Sequence, residues 1–146
     1  MLGFGRGLNI HMKIALINEN SQHLKNTLIF DTLKKVAEPL GHICLNYGRY
    51  SQEESPPKSY VQNGILAAIL LNAKAVDFVV TGCGTGEGAM LALNAFPDVL
   101  CGWVGDPTDA YLFPQINNGN AMSMPFAKGF GWGAELNLRI DRKSVV

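Results

Sequence analysis

The fold is decided by the stretch Asp77-Phe78-Val79-Val80-Thr81-Gly82-Cys83-Gly84-Thr85-Gly86-Glu87-Gly88-Ala89-Met90. Its apolar first part predicts a strand buried on both faces, its four alternating glycines predict a turn, and Glu87 predicts the start of a helix. The unpaired N–H groups and the partial positive charge of that helix start face the turn. Such a site binds anions and favours the thiolate of a cysteine, here Cys83. The stretch therefore indicates an enzyme.

Outward from this stretch, short apolar runs alternate with segments of helical spacing. The predicted strands are residues 14–17, 43–45, 76–80, 99–104 and 121–124. The predicted helices are residues 24–40, 59–72 and 87–96, and a fourth that Asp106 caps before Pro107. Strands that alternate with helices form a parallel sheet with helices on both faces. We therefore expect an α/β protein, a three-layer α/β/α sandwich with a parallel sheet of about five strands.

Polar residues follow several of the predicted strands. In parallel sheets, ligands bind beyond the carboxyl ends of the strands. We therefore expect four groups to approach one another or a neighbouring subunit: Glu19-Asn20, the glycine turn, Asp106 and Asn117-Asn118. Three residues within the predicted strands are interpreted as core: Cys44, Cys101 and Trp103.

The composition argues against several classes of protein. The 146 residues, 47% apolar and 16% charged, fit one domain, which we place at residues 12–146 behind an N-terminal extension, residues 1–11. The net charge of zero gives no electrostatic footprint for nucleic acid or an anionic membrane. No apolar run reaches the roughly 20 residues of a membrane span. Three cysteines at unrelated spacings fit neither a disulfide framework nor a zinc site, so we expect a reducing, cytoplasmic setting and no metal.

Three interpretations of the glycine turn are open on the residues alone. The turn is a tight strand-to-helix connection without a ligand, or a dinucleotide site, or a catalytic turn. A dinucleotide site is suggested because Gly84-x-Gly86-x-x-Ala89 fits the G-x-G-x-x-G/A pattern and Asp106 follows the next strand, although Glu87 would repel a pyrophosphate. A catalytic turn is suggested because its amides can stabilise an oxyanion beside Cys83 and Glu87.

The run Cys83-Gly84-Thr85-Gly86-Glu87-Gly88, followed by Asn94, resembles the ribose-5-phosphate isomerase B and galactose-6-phosphate isomerase family. The similarity extends from Met12 to about Gly133 and includes Lys13-Ile14-Ala15, Tyr60 and Asn117-Asn118. The resemblance implies a Rossmann-like or flavodoxin-like sandwich and a homodimer or homotetramer with shared active sites. It also implies that a sugar or sugar phosphate is isomerised between aldose and ketose through an enediolate, without metal or cofactor.

The resemblance further implies roles for individual residues. Cys83 is the first candidate for the base, and Glu87 is its alternative or partner, because family members with serine in the turn use a glutamate at that position. The catalytic candidates are Cys83, Glu87 and Thr85. The candidates for substrate binding are Glu19, Asn20, Gly84, Gly86, Gly88, Asn117 and Asn118.

Around the substrate, the chain departs from the family pattern. Glu19-Asn20 stand where the family has an Asp-His pair, and Ile116 replaces the histidine that is credited with opening the sugar ring. The family's arginine after the fifth strand is absent from residues 128–132, and Arg139 and Arg142 are either its replacements or a solvated basic tail. Either the substrate is an open-chain or unphosphorylated sugar or another 2-hydroxycarbonyl compound, or the chain has lost catalysis and binds a ligand only.

Overall fold

The computed structural model describes residues 11–51, 53 and 58–128. This part contains five strands: β1 (Lys13–Asn18), β2 (Ile43–Asn46), β3 (Phe78–Cys83), β4 (Cys101–Trp103) and β5 (Ala121–Pro125). It contains four α-helices: α1 (Asn26–Ala37), α2 (Tyr60–Asn72), α3 (Glu87–Asn94) and α4 (Pro107–Asn117). Two 3-10 segments, Asn20–Lys25 and Glu38–Leu40, flank α1. The strands form one sheet in the order β2-β1-β3-β5-β4, and all neighbouring strands are parallel.

The two faces of the sheet carry separate apolar clusters, because successive strand residues point to opposite faces. On one face, Ile14, Leu16, Phe78, Val80 and Met122 pack with Ile29 and Leu33 of α1 and Ala110 of α4. On the other face, Ala15, Ile17, Val79 and Ala121 pack with Ala67 and Leu71 of α2 and Leu93 of α3. Helices therefore cover both faces, and the predicted three-layer α/β/α fold is confirmed.

The position of β5 determines what lies beside the glycine turn. The strand order differs from the 2-1-3-4-5 order of flavodoxin, because β5 inserts between β3 and β4. In the pairing of β3 with β5, Gly82 lies opposite Met124 and Cys83 opposite Pro125. The residues that follow β5 therefore pack directly against the turn that follows β3.

Several predicted boundaries are wrong. The first helix does not begin at Leu24, which is 86% exposed, because the chain first forms the 3-10 segment and α1 begins at Asn26. The side chain of Glu19 caps that segment by accepting a hydrogen bond from the N–H of Ser21. The strand predicted over residues 99–104 is reduced to β4, Cys101–Trp103. The strand predicted over residues 76–80 is shifted to β3, Phe78–Cys83, and the helix predicted over residues 87–96 ends at Asn94.

Among the described residues, no helix combines the length and the apolar character that a membrane crossing requires. Residues 1–10 and 129–146 lie outside the described part of the chain. The predicted extension therefore lies almost wholly outside it, as do Arg139 and Arg142.

Candidate active site

Two glycines of the turn are required by its close approach to β5. Gly86 immediately precedes α3 with φ +81°, in the left-handed region, and a Cβ there would lie 2.8 Å from the carbonyl carbon of Met124. A Cβ on Gly82 would collide with the carbonyl oxygen of the same residue. At Gly84, by contrast, an added Cβ would meet only the Cβ of Ala127, at 3.8 Å. The Gly84 side of the turn is therefore open.

Four consecutive carbonyl groups of the turn accept hydrogen bonds from β4, β5 and the residues after β5. The pairs are Cys83 O with Phe126 N (2.9 Å), Gly84 O with Ala127 N (3.1 Å), Thr85 O with Trp103 Nε1 (2.9 Å) and Gly86 O with Ser123 Oγ (2.5 Å). Because a trans peptide is planar, each N–H points away from the carbonyl of the residue before it. The N–H groups of residues 84–87 are thereby turned away from these donors.

Two of these N–H groups have no acceptor in the described part of the chain and can donate to a ligand. Within the described residues, no acceptor is hydrogen-bonded to the N–H of Gly84 or of Thr85. The next N–H, of Gly86, donates to the sulfur of Cys83 at 3.2 Å, and the N–H of Glu87 donates to Thr85 Oγ1 at 3.3 Å. A pair of fixed, open amides beside a thiol is the arrangement that stabilises an oxyanion during proton transfer.

The environment of Cys83 differs from that of the other buried cysteine. The Cys83 side chain is 7% exposed at the end of β3, and its sulfur accepts the hydrogen bond from Gly86. Cys101 lies in β4, where burial raises the pKa of its thiol to about 12. Cys101 therefore stays a protonated core thiol, as predicted, whereas the sulfur of Cys83 receives a donor from the turn.

Glu87 and Thr85, the other catalytic candidates, are both exposed on the turn. Glu87 is the first residue of α3, where the helix dipole stabilises a carboxylate. The hydroxyl oxygen of Thr85 accepts from the Glu87 N–H, so its own O–H proton can still be donated to a ligand. The structure thus places the three catalytic candidates, Cys83, Thr85 and Glu87, on one turn.

The connection after β1 lies beside this turn, because Asn18 pairs with Gly82 in the sheet. Glu19 is 7% exposed, and its carboxylate accepts from the N–H (2.8 Å) and from the hydroxyl of Ser21. Asn20 donates its N–H to the carbonyl of Lys58 at 3.1 Å. Its side-chain oxygen is buried without a partner in the described part of the chain. A donor from a ligand would satisfy the Asn20 oxygen, whereas the Glu19 carboxylate is already used.

The structure places Asp106 and Asn117-Asn118, which the sequence predicted to lie near the glycine turn, at opposite edges of the sheet. The Asp106 carboxylate caps α4 by accepting from Thr108 N (2.7 Å) and Asp109 N (2.9 Å), as the predicted helix start requires. Because α4 returns the chain to the amino ends of the strands, Asn117-Asn118 lie at the opposite edge of the sheet from the turn. The chain therefore does not bring Asn117-Asn118 to the glycine turn of the same subunit, and the alternative, an approach to a neighbouring subunit, stays a prediction.

Two residues that hold the turn were not found by sequence reasoning. Trp103 was interpreted as core, yet it is only partly buried and its indole N–H donates to Thr85 O. Ser123 is fully buried in β5 and donates to Gly86 O. A polar group inside an otherwise apolar strand was the available signal in both cases. Within the described residues, no group of three His, Cys, Asp or Glu side chains could hold a metal ion.

Comparison with known proteins identifies the family. The model of the Ribose/Galactose Isomerase family matches residues 14–137. The crystal structure of a 4-deoxy-L-threo-5-hexosulose-uronate ketol-isomerase complexed with a tartrate is 63% identical, with a TM-score of 0.85, over 92% of this chain and 63% of that one. A ribose-5-phosphate isomerase from Vibrio parahaemolyticus is 52% identical, with a TM-score of 0.85, over 93% of this chain and 64% of that one.

More distant structures share the fold. The type B ribose 5-phosphate isomerase of Trypanosoma cruzi is 18% identical, with a TM-score of 0.78, over 92% of this chain and 83% of that one. No curated protein matches the chain. The chain spans a little under two thirds of the length of the two structures that are more than half identical to it. The chain belongs to the ribose/galactose isomerase family.

Proposed function

We propose that this chain carries the catalytic turn of an aldose–ketose isomerase that works through an enediolate. The observation that carries the proposal is the juxtaposition of the Cys83 sulfur with the open N–H groups of Gly84 and Thr85. The Cys83 thiolate removes the proton from the carbon next to the substrate carbonyl. The two amides hold the oxygen on which negative charge develops. The thiol then returns the proton to the neighbouring carbon, so that no net oxidation occurs.

A second proton must move between the two substrate oxygens during the same reaction. Thr85 and Glu87 are exposed on the same turn and offer a hydroxyl and a carboxylate for that transfer. With Cys83 as the carbon base and Glu87 at the oxygens, the two acid–base groups have separate tasks. Glu87 as the carbon base is the alternative assignment.

For the substrate, we propose an open-chain sugar acid of the 4-deoxy-5-hexosulose-uronate type. The 63% identical structure has that name and holds tartrate, a compound with hydroxyl groups between two carboxylates. In this chain Ile116, which replaces the family's ring-opening histidine, is 70% exposed and cannot transfer a proton. An open-chain substrate requires no ring opening, and a carboxylate requires no phosphate site. Ribose 5-phosphate is the second candidate, because the 52% identical structure bears that name.

Proton exchange with solvent tests both parts of this proposal. The full-length protein is incubated in D2O with 4-deoxy-5-hexosulose-uronate, ribose 5-phosphate or galactose 6-phosphate, and deuterium at C2 is followed by NMR. We expect exchange with the uronate and a loss of at least about 100-fold in Cys83→Ala. The matched control Cys101→Ala removes a buried thiol in β4 and keeps exchange within a few-fold of wild type.

Each other outcome changes the substrate, the base or the function that is assigned. Exchange with ribose 5-phosphate alone rejects the uronate and retains the isomerase. Full exchange in Cys83→Ala, lost in Glu87→Gln, makes Glu87 the carbon base. Absence of exchange with all three sugars, in a folded protein that still binds one of them, leaves a ligand-binding protein.

We further propose a homodimer with shared active sites in a cytoplasmic setting. Asn117-Asn118 lie at the amino edge of the sheet, so a site that contains them and the turn requires two chains. Val61, Ile65 and Ile69 form an exposed apolar row on α2, and a second copy of the chain would bury such a surface. The unrelated spacings of the three cysteines, which fit no disulfide framework, support a reducing compartment.

Complementation tests the shared site. The variants Cys83→Ala and Asn117→Ala/Asn118→Ala should each be inactive as homodimers. Mixed dimers should regain up to about a quarter to a half of wild-type activity, because one of their two sites contains neither change. Inactive mixtures with confirmed subunit exchange would argue against sharing, and a monomeric mass by light scattering would reject the dimer.

A further inference from the structure

A hydrogen-bonded chain connects β4 to the sulfur of the catalytic candidate. The Trp103 indole donates to the carbonyl of Thr85 at 2.9 Å. The same peptide unit ends in the N–H of Gly86, which donates to Cys83 Sγ at 3.2 Å. Because the peptide is planar, its carbonyl and its N–H point in opposite directions. The bond from Trp103 therefore fixes the direction of the N–H that reaches the sulfur.

This chain also affects how strongly the sulfur is stabilised. A donor on a carbonyl polarises the peptide and strengthens the hydrogen bond that its N–H makes. An N–H donor stabilises a thiolate more than a thiol, because a hydrogen bond to a charged acceptor is the stronger one. We propose that Trp103 is a positioning residue that favours the Cys83 thiolate through the Thr85–Gly86 peptide. Its effect on turnover rests on the proposed function, but its effect on the thiol does not.

The other side-chain donor to the turn provides an internal comparison. Ser123 Oγ donates to Gly86 O, which belongs to the next peptide unit. The N–H of that unit, from Glu87, donates to Thr85 Oγ1 rather than to the sulfur. Ser123 therefore holds the turn without being connected to Cys83, whereas Trp103 holds the turn and is also connected to Cys83.

Packing alone would be another reason for a tryptophan at this position. The indole ring covers Gly105, where a Cβ would collide with it. Packing depends on the ring carbons, and the chain to Cys83 depends on Nε1–H. A tryptophan isostere with sulfur in place of the ring N–H, benzothienylalanine, keeps the first and removes the second.

The experiment measures the alkylation rate of Cys83 against pH. Site-specific incorporation places benzothienylalanine at position 103 of the full-length protein, and Trp103→Phe is a second variant. Iodoacetamide labelling of Cys83 is resolved by peptide mass spectrometry. We expect the pH midpoint to rise by about half a unit in both variants, which lowers the thiolate fraction near pH 7 about threefold. Ser123→Ala should leave the midpoint unchanged.

Charged and titratable groups on the elements around Cys83 are common to all these proteins. They are Glu19, His23 and Lys25 after β1, Arg49 after β2, Tyr60 in α2, Glu87 in α3, Asp106 before α4, Asp109 in α4, and Lys128 after β5. Lys25 donates to the Phe126 carbonyl. None is altered in the variants. The difference between midpoints therefore isolates the donor at position 103.

A second measurement requires no variant. The proton on Trp103 Nε1 should change its NMR chemical shift with the same midpoint as Cys83 alkylation, since both ends of the chain share one peptide. An unchanged alkylation midpoint in the isostere, or an indole shift that is flat through that midpoint, would overturn the proposal. A shifted midpoint in a protein that isomerises no sugar would reject the proposed function and retain the role of Trp103. An isostere that still isomerises sugar with an unshifted alkylation midpoint would retain the proposed function and reject the role of Trp103.

When the isomerase is active, the kinetics distinguish positioning from substrate binding. We expect kcat to fall about threefold near pH 7 in the isostere, with KM within twofold of wild type. The loss should shrink as the pH rises, because the thiolate is then formed without help. A rise in KM with unchanged kcat would show that Trp103 contacts the substrate instead.

Discussion

The connections that follow β1 and β3 lie side by side at the carboxyl edge of the sheet, but they use their polar groups in opposite ways. After β1, Asn18 donates to the carbonyls of Gln22 (3.1 Å) and Arg49 (3.0 Å), and the Glu19 carboxylate is taken by Ser21. After β3, the carbonyls of the turn accept from β4, β5 and the residues after β5, and no acceptor among the described residues binds the N–H of Gly84 or of Thr85. The connection after β1 uses its polar groups in internal hydrogen bonds, whereas the turn after β3 has donors that a ligand can use.

The comparison shows how a rigid turn can keep unpaired donors. The β1 side is held by three interlocked amides, because Asn26 donates to Asn18 Oδ1 (2.5 Å) and to Asn46 Oδ1 (3.0 Å) and accepts from Asn46 Nδ2 (2.8 Å). The β3 turn is held by hydrogen bonds to its carbonyls and by the close contacts of its glycines with β5, so the N–H groups of Gly84 and Thr85 are not needed to hold it. The two connections should therefore fail in different ways when they are altered.

The largest effect is expected at Gly86. Alanine there would adopt a left-handed conformation and press its Cβ against Met124 C at 2.8 Å, so Gly86→Ala should lower the free energy of unfolding by about 2–4 kcal/mol. The matched change Gly84→Ala meets only Ala127 Cβ at 3.8 Å and should cost less than about 1 kcal/mol. Urea titration measures both.

Activity should separate the same pair in the other direction. A methyl group at Gly84 lies on the open side of the turn, where it would crowd a ligand at the amides. We expect Gly84→Ala to retain stability and to lose isomerisation. A Gly84→Ala enzyme with wild-type kcat/KM would show that the substrate does not approach this side of the turn.

The next effect concerns the amides behind β1. Asn26 is fully buried, and Asn26→Ala leaves its partners on Asn18 and Asn46 unsatisfied, at a loss of about 2–3 kcal/mol. The control Asn72→Ala removes two bonds of an exposed side chain, to Ala68 O and Pro97 O, and should lose less than about 1 kcal/mol. Equal losses from the two urea titrations would contradict the view that the buried network holds this connection.

The β3 turn was predictable from the sequence because its signals are local. An apolar strand, alternating glycines and a helix start are contiguous, and the structure has this strand–turn–helix order with α3 beginning at Glu87 as predicted, although β3 extends to Cys83. The connection after β1 was less predictable. Leu24 fits the helical spacing of α1, and only the capping bond that the N–H of Ser21 donates to the Glu19 carboxylate shows that a 3-10 segment precedes the helix.

Contacts between distant segments could not be derived from residue patterns. The insertion of β5 between β3 and β4 is a spatial order that alternation of strands and helices leaves open. Trp103 reads as an apolar strand residue, and its bond to Thr85 joins positions 18 residues apart. The place of Asn117-Asn118 was available in principle, because residues between a helix and the next parallel strand lie at the amino edge.

A smaller effect concerns Cys101 and the change in the free energy of unfolding with pH. Burial raises the pKa of Cys101 to about 12, from an ordinary value of 9.0, so the folded protein retains a proton that the unfolded chain releases above about pH 9. The unfolded state then binds fewer protons, and stability falls as the pH rises from about 9 towards 12. Between pH 8 and pH 10, wild type should lose about 1 kcal/mol more than Cys101→Ala. Parallel losses in the two proteins would show that Cys101 ionises equally in both states.

The smallest effect is expected at Glu19, and it decides how far the β1 side takes part in the reaction. Its carboxylate is 7% exposed and accepts from Ser21 N at 2.8 Å, so Glu19→Ala should lower the free energy of unfolding by about 1 kcal/mol, and Glu19→Gln by less, since an amide oxygen can still accept. If capping is its main role, KM in Glu19→Gln stays within about threefold of wild type. The glutamine oxygen retains the cap, and the charge that is lost does not contact the substrate. A tenfold rise in KM without loss of stability would instead place the carboxylate on the substrate, as the family resemblance implies. The β1 connection would then share in recognition with the glycine turn, and the contrast between the two would apply to the unliganded protein alone.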